Sequence, residues 1–475
     1  MNKKIKFSGL QIIFLFLVFN LCAAGNKQYE SVGWKAGVAR VCITPEESVW
    51  LAGYAFRDHS SEGILVDLWA KALALEDARG KKVILITADL LTFPKSISDT
   101  IRNQIGAKYG LERDQIILNC SHTHTGPVLT DALSDIYSYD EIQAEKIKRF
   151  SDDLKEKIVN LAGEALQSMV QANLYSGNGI ARFQVNRRNN SEKTINNLTD
   201  LKGPKDYSVP VLKVTDSGGN LIAIVFGYAC HPTVLGIYRF SGDYPGFAQL
   251  ELEKRYPGAT AMFFQGAGGD QNPLPRGSIP LAEQYGLELA AAVVRVLKEG
   301  TIKLEPEILT AYSEIELKFS TLPTAEELMR IENESTGYQK RWATHMLEII
   351  NTEGSLPGSY KAYPTQIWKL GSQPIMILGG EILVEYSIEL KKLFGPEIFV
   401  MGYSNDVMAY IPSETVLREG GYEGESSKMV YGMPARWAEG IENRILEEFR
   451  RLAEMTEVPV IKSENGGMDY NIKTK

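Results

Sequence analysis

Short uninterrupted apolar runs recur along the chain at Lys82–Ala88, Ile116–Leu118, Ala223–Phe226, Ala259–Phe264, Pro374–Leu378 and Ile398–Met401. A strand without polar alternation has no face to give to water, so these runs read as strands covered on both sides. Between them lie amphipathic stretches of helical period, at Ser96–Tyr109, Glu141–Met169, Gly246–Arg255, Leu281–Lys298, Ala325–Asn351 and Ala435–Ala453. Most have Ser, Thr, Asp or Pro at or just before their starts, and several close on Gly or Asn. Asp216-Ser217-Gly218-Gly219-Asn220 reads as a hairpin turn. The pattern predicts an α/β fold with one or more mixed, buried β-sheets flanked by helices. No repeat, low-complexity tract or Pro/Ser-rich linker divides the chain, so residues 25–456 are expected to form a single large domain followed by a tail, 457–475.

The opening is set apart. Met1–Lys6 is basic, Leu10–Leu21 has the length of a signal-peptide core, and Cys22-Ala23-Ala24 offers a small-residue cleavage point after Ala24. Residues 1–24 are therefore expected to be a signal peptide, and the product to be exported to the periplasm or secreted. A second reading makes Cys22 the acylated residue of a membrane-anchored lipoprotein. No later apolar stretch reaches the length of a membrane span. A net charge of −8, spread along the chain, excludes a nucleic-acid or polybasic membrane surface. Cys42, Cys120 and Cys230 remain after cleavage, an odd count that argues against a disulfide framework. Packing is the expected role of Cys120 and Cys230, with a bridge between them left open.

The chain has only 5 histidines. Two of them fall in Ser121-His122-Thr123-His124-Thr125-Gly126-Pro127, where an apolar run breaks into a loop. Residues i and i+2 of extended backbone share a face, so both imidazoles can turn to one ion or one substrate group. His231 ends another apolar run before Pro232, and Pro374–Gly380 delivers Glu381 to what reads as a helix start. Two imidazoles and a carboxylate leave an open position on zinc, as catalytic rather than structural sites do. His59 and His345 lie in polar contexts and read as surface residues. Asp89 and Asp243 are candidates to orient a ligand imidazole. Gly266–Asp270 lacks the ending of a phosphate loop and reads as a tight loop whose N–H groups approach a substrate oxygen.

The His-Thr-His segment resembles the His-Thr-His-Ser-Gly-Pro motif of the neutral, non-lysosomal ceramidases, zinc amidases that cleave the acyl amide of ceramide. The resemblance runs from about Gly37, through Ile43-Thr44-Pro45 and Ala52-Gly53-Tyr54, to about Gly432. It implies one zinc per chain, held by His122, by His231 ahead of Ser241-Gly242-Asp243, by Glu381 in Gly379-Gly380-Glu381-Ile382, and by Tyr410 before Ile411-Pro412-Ser413. It places His124 and the Asn186-Arg187 pair against the substrate, and Tyr422 of Tyr422-Glu423 beside them. Without that resemblance, Tyr410 reads as a strand end and Arg187 as part of a solvated basic turn.

Two departures bear on the substrate. The family carries a serine in Gly-Asp-Val-Ser-Pro-Asn, and this chain reads Gly269-Asp270-Gln271-Asn272-Pro273, with Asn272 at the serine position. An amide is no covalent nucleophile, so hydrolysis would rest on metal-activated water, with Asn272 as a polar contact. The ceramidases also continue into a C-terminal domain that is not expected here. Three functions follow: hydrolysis of an N-acyl sphingoid or similar lipid amide; cleavage of an ester or N-acyl group on an acylated glycan; or binding by a ceramidase-like protein without catalysis.

Overall fold

The computed structural model describes Met1 and residues 33–193 and 200–461. The chain divides into Met1–Val32 and Gly33–Lys475. The expected signal peptide, with Cys22 and Ala24, falls in the first unit and, apart from Met1, lies outside the described residues, as does the tail from residue 462. The second unit carries the fold.

Its larger sheet has nine strands. Eight form the continuous path: β1 (Trp34–Cys42), β2 (Trp69–Glu76), β3 (Lys82–Ala88), β4 (Ile116–Cys120), β5 (Val170–Ile180), β6 (Ser208–Asp216), β7 (Leu221–Tyr228) and β8 (Thr260–Gln265). They lie in the order β8-β7-β6-β5-β1-β2-β3-β4, and the short strand Ile302–Lys303 adds to β5. The outermost pairs, β3–β4 and β7–β8, are parallel. Every pair between them is antiparallel. A second sheet follows, β9 (Ile308–Lys318), β10 (Ser359–Leu370), β11 (Gln373–Leu378) and β12 (Phe399–Met401), with β11–β12 parallel.

The period of two along each strand sorts side chains into layers. Leu73, Leu75, Val83, Leu85, Val225 and Met262 of the large sheet pack with Trp368, Ile375, Ile377 and Phe399 of the second, forming a core between the sheets. Their neighbours Ala72, Ala74, Ile84 and Ile86 face the other way, onto Ile97 and Ile101 of the helix Lys95–Tyr109 and Leu154 and Ile158 of the helix Glu141–Gln167. Phe226 and Phe263 similarly meet Leu252 of Asp243–Arg255 and Leu289 of Ile279–Glu299. On the far side of the second sheet, Met376 and Leu378 pack against Leu390 of Val384–Phe394 and Phe449 of Ile441–Met455. The architecture is an α/β/β/α stack of buried mixed sheets flanked by helices. Each fully buried Leu, Ile or Phe contributes about 1.5–3 kcal/mol, so the sheet interfaces dominate cohesion.

The expected strands all form. Two helices differ from expectation. Ala325–Asn351 is broken into Ala325–Glu334 and Gly337–Glu353, with Ser335 and Thr336 extended and Gly337 at φ 61°. The stretch expected from Ala435 becomes helical only at Ile441, after Gly440 at φ 95°. The preceding residues pair with the end of β9 instead: Ser320 donates to Arg436 O (2.9 Å) and Ala438 to Lys318 O (2.9 Å). Cys42, Cys120 and Cys230 are free thiols, so the bridge left open between Cys120 and Cys230 does not form. The tail is not detached at its start, since Val458 is buried and donates to Ala453 O at 2.9 Å.

One junction positions the site. The two edges of the large sheet meet where β4 and β8 end: Gln265 N donates to Asn119 Oδ1 at 3.0 Å. Gly402, just past β12, joins both, donating to Gln265 O (3.0 Å) and accepting from Asn119 Nδ2 (2.8 Å). The parallel strands therefore deliver their C-terminal ends to one place, where open α/β sheets characteristically bind ligands.

Candidate metal centre

His122 follows β4 and His231 follows β7, so the meeting of the sheet edges brings them together. His122 is not extended, contrary to the expectation from the strand. Its φ is 64°, in the left-handed region, with its N–H on Leu90 O at 2.9 Å. Such backbone costs of order 1–3 kcal/mol in a non-glycine residue and persists where surrounding bonds enforce it. The outcome the pattern predicted is nevertheless reached by a turn: His124 Nε2 stands 3.3 Å from His122 Nε2. His122, His124 and His231 offer ligand atoms within 4.8 Å of one another and could hold a metal ion.

Glu381 reaches the same point. Its Oε2 lies 3.2 Å from His122 Nε2 and 3.0 Å from His231 Nε2. Glu381–Ile382 is a two-residue strand rather than a helix start, and it pairs in parallel with Tyr410–Ile411. That pairing brings the Tyr410 hydroxyl to 3.4 Å from His231 Nε2. Two tyrosines that the sequence did not single out complete the surround. Tyr403, also left-handed at φ 51°, places its hydroxyl 3.3 Å from Glu381 Oε2, and the Tyr431 hydroxyl donates to Glu381 Oε1. Tyr403 sits at the end of an apolar run, a signal shared with His231; Tyr431 has none.

The outer nitrogens of two imidazoles are committed. His122 Nδ1 pairs with Leu91 O at 2.7 Å and His231 Nδ1 with Gly268 O at 2.7 Å. Carbonyls accept only, so these nitrogens carry the protons and both Nε2 atoms present lone pairs inward. This corrects the reading of Asp89 and Asp243 as the orienting groups. Asp89 accepts from Trp69 N and Gln249, and Asp243 from Leu235 N and Tyr244 N. It also corrects the glycine loop. Gly266 N, Gly268 N and Gly269 N donate to Tyr228 O, Gly266 O and Ile382 O, so these three N–H groups are taken, and it is the Gly268 carbonyl that reaches the site.

With those protons placed, the inward atoms are two imidazole lone pairs and a carboxylate oxygen at 3.0–3.2 Å, all acceptors. Such a set suits a divalent cation: neutral imidazole and carboxylate are zinc's usual nitrogen and oxygen donors. Burial, with the charge of Arg187, pushes the His231 imidazole down to about 4, so it is neutral near pH 7. The donor set fits a metal.

A second cluster adjoins it. Strand Gln184–Asn186 pairs with Gln271–Pro273, setting Asn272 opposite Val185 and Arg187 beside both. Arg187 is part-buried and inward, not in a solvated turn. Its Nη2 donates to Tyr410 OH (3.1 Å), its Nη1 to Asn272 Oδ1 (3.4 Å) and its Nε to Glu423 Oε1 (2.7 Å). Tyr422 lies edge-on to Tyr410, ring centroids 5.4 Å apart, and is 43 % exposed at the rim. On the opposite rim, Tyr54 lies against His124 (4.7 Å) and Phe56 stacks on Tyr54 (4.9 Å). Arg57 ties this loop to His124 O at 2.7 Å. The remaining histidines are peripheral: His59 is exposed beside Asp58, and His345 pairs with Asp135.

Residues 34–280 match the family model for the N-terminal domain of neutral/alkaline non-lysosomal ceramidase. Curated relatives named neutral ceramidase include one from Pseudomonas aeruginosa, 24 % identical over 276 residues, covering 54 % of this chain and 40 % of that protein. Another, from Drosophila pseudoobscura pseudoobscura, is 25 % identical over 266 residues, covering 52 % of this chain and 35 % of that protein. The alignments thus span well under half the length of these relatives. The crystal structure of neutral ceramidase from Pseudomonas aeruginosa superposes with a TM-score of 0.70 at 18 % identity, over 92 % of this chain and 77 % of that one. A structure described as ceramidase complexed with C2 gives 0.69 at 16 % identity, over 93 % and 78 %. These likenesses establish a common fold.

Proposed function

Because the chain belongs to the neutral/alkaline non-lysosomal ceramidase family, we propose that it is an exported, zinc-dependent hydrolase that cleaves the acyl amide of a ceramide-like N-acyl lipid. The observation that carries this reading is the convergence of His122, His231, Glu381 and Tyr410 around one point, with Arg187 and Asn272 beside it. Those four residues hold the zinc, one per chain. Zinc in such a site supplies Lewis acidity, polarising an acyl carbonyl and lowering the pKa of a water.

His124 is within ligand reach as well, but two features support a role toward the substrate. Its Nδ1 has no hydrogen-bond partner, unlike the carbonyl-anchored nitrogens of His122 and His231. Its ring also faces Tyr54 at the rim. A ligand imidazole is ordinarily fixed through its other nitrogen. An unanchored ring can turn, and His124 can carry a proton to the leaving nitrogen.

Arg187 remains charged: burial opposes its charge, but Tyr410 and Glu423 outweigh burial. Its bond to Asn272 Oδ1 turns the amide so that Nδ2 is left to donate. Asn272, Arg187 and Tyr422 then stabilise the negative charge that develops on the carbonyl oxygen, where one well-aimed donor is worth about 10²–10³ in rate. Asn272 has no nucleophilic atom, so attack belongs to water.

The test is product analysis by mass spectrometry after incubating zinc-replete protein with ceramide, N-acyl amino lipids and acylated sugars. Release of fatty acid and free amine from a lipid amide is expected. Product from acylated sugars alone would move the assignment to a glycan esterase or deacylase. Lipid bound without any product would leave a binding protein.

A further inference from the structure

Glu423 is a buried carboxylate that the amide-hydrolase reading leaves without a task. Its two oxygens are taken by different guanidinium groups: Oε1 by Arg187 Nε and Oε2 by Arg188 Nη1, each at 2.7 Å. Arg188 is itself held by Glu419 at 3.0 Å. Burying such a charge is costly unless every partner is in place, and an apolar pair would serve cohesion equally well. The arrangement is therefore better explained by the geometry it enforces than by stability.

That geometry has two consequences. With Nε engaged by Glu423, the planar guanidinium of Arg187 can aim its Nη atoms only at Tyr410 OH and Asn272 Oδ1, where they lie at 3.1 and 3.4 Å. The second concerns the segment that carries Glu423. It is one short turn, Gly421–Gly424, entered through Gly420 and Gly421 at φ 68° and 78°. Tyr422 lies in that turn, and Arg187 sits between its ring (5.8 Å) and that of Tyr410 (5.6 Å). The ion pair therefore ties the Tyr422 segment to the metal centre through one arginine.

We propose that Glu423 is a positioning residue: it aims Arg187 at Tyr410 and Asn272 and fastens the Tyr422 turn over the site. The catalytic half of this inference rests on the amide-hydrolase reading. The fastening half does not.

The experiment uses the full chain, zinc-replete, with Glu423→Gln, Glu423→Asp, Arg187→Met and the double variant Arg187→Met/Glu423→Gln. With a short-chain fluorogenic N-acyl amide, Glu423→Gln should lower kcat about 10- to 100-fold, the range of one misplaced electrostatic group, with a smaller change in KM. Zinc content and melting temperature should hold. Glu423→Asp, which keeps the charge, should recover part of the rate. Because Glu423 acts through Arg187, adding Glu423→Gln to Arg187→Met should cost less than about 2-fold more. Independently of turnover, hydrogen exchange of amides 420–425 should rise in Glu423→Gln, and by a smaller factor in Arg187→Met, where Arg188 still holds Glu423.

Full additivity of the two substitutions, or exchange at 420–425 unchanged in both, would overturn the proposal. So would a rate loss that simply tracks loss of zinc or of melting temperature. If the unaltered protein cleaves no acyl amide, the functional reading fails on its own, and the exchange measurement still decides whether Glu423 fastens the turn.

Discussion

Glu381 and Tyr410 are register partners in a parallel strand pair only two residues long. Residues paired this way send side chains to the same face, so one pair of backbone bridges delivers a carboxylate and a phenol together to His231. Glu381 N donates to Ala409 O at 2.8 Å and Tyr403 N to Gly380 O at 3.0 Å, locking three site residues into one backbone network. The two histidines arrive separately, from the ends of β4 and β7, on the other side of the junction at Asn119 and Gln265. The centre is thus assembled from two backbone networks, joined by Gly402 N on Gln265 O and Gly269 N on Ile382 O.

This assembly predicts metal dependence. Purified protein should contain about one zinc per chain by elemental analysis, from the coordination preference of two imidazoles and a carboxylate. His122→Ala or His231→Ala should lose most of it and all turnover, while circular dichroism stays unchanged because the sheet interfaces lie elsewhere. Stoichiometric zinc in both variants would rule the assignment out.

Asn272 offers a test of who attacks. If water does, Asn272→Ala should lower turnover by roughly 10- to 1,000-fold, the loss of one oxyanion or positioning contact, with no acylated residue in intact-mass spectra. Asn272→Ser should recover little, since one hydroxyl contributes about 1–3 kcal/mol at best and specificity is spread over the pocket. A kinetic burst equal to the enzyme concentration would point instead to a covalent intermediate.

Part of this site is legible in the sequence, and the division has a physical basis. His122, His231 and Glu381 each follow a doubly buried strand, and such strands are visible because nothing interrupts their apolar runs. Strands with alternating or polar faces, such as β9 with Glu314, Glu316 and Lys318, carry no such mark. Tyr431 comes from an irregular segment and reaches Glu381 only through tertiary packing. The left-handed turn at His122 is also invisible, because nothing local in Cys-Ser-His-Thr-His requires it. The orienting groups are hidden for a related reason: sequence displays acidic side chains but not backbone carbonyls, and here Leu91 O and Gly268 O do the orienting.

Away from the metal, Asp406 should govern part of the pH dependence of stability. Burial pushes its carboxyl up to about 7, against the Tyr360 hydroxyl bonded to it. A folded-state value above the unfolded value of roughly 3.9 means that the native protein keeps a proton that the unfolded chain releases. The stabilisation is full below about pH 4 and is lost as pH rises through 7. Asp406→Asn, neutral throughout, should therefore match the parent near pH 4 and exceed it above pH 7, by about 1–4 kcal/mol for a shift of this order. Urea unfolding of metal-free protein at both ends of that window measures it, and an equal difference at both ends would exclude Asp406 as the cause.

Gly53 separates two roles for His124. A β-carbon at Gly53 would lie 2.5 Å from His124 Nδ1 and 2.6 Å from its Cγ, and the backbone there has φ 94°, which side chains disfavour. Gly53→Ala should therefore push the imidazole off its position and cost of order 1–3 kcal/mol in backbone strain. If His124 serves the substrate, as its unpartnered Nδ1 implies, turnover should fall at least about 10-fold, the lower end of what a displaced proton carrier costs. Zinc affinity should stay within a few-fold of the parent, because His122 and His231 keep their carbonyl anchors. His124→Ala should behave the same way, without the strain. If instead both variants lose zinc in competition with a chelator, His124 is a ligand and the metal is held by three imidazoles.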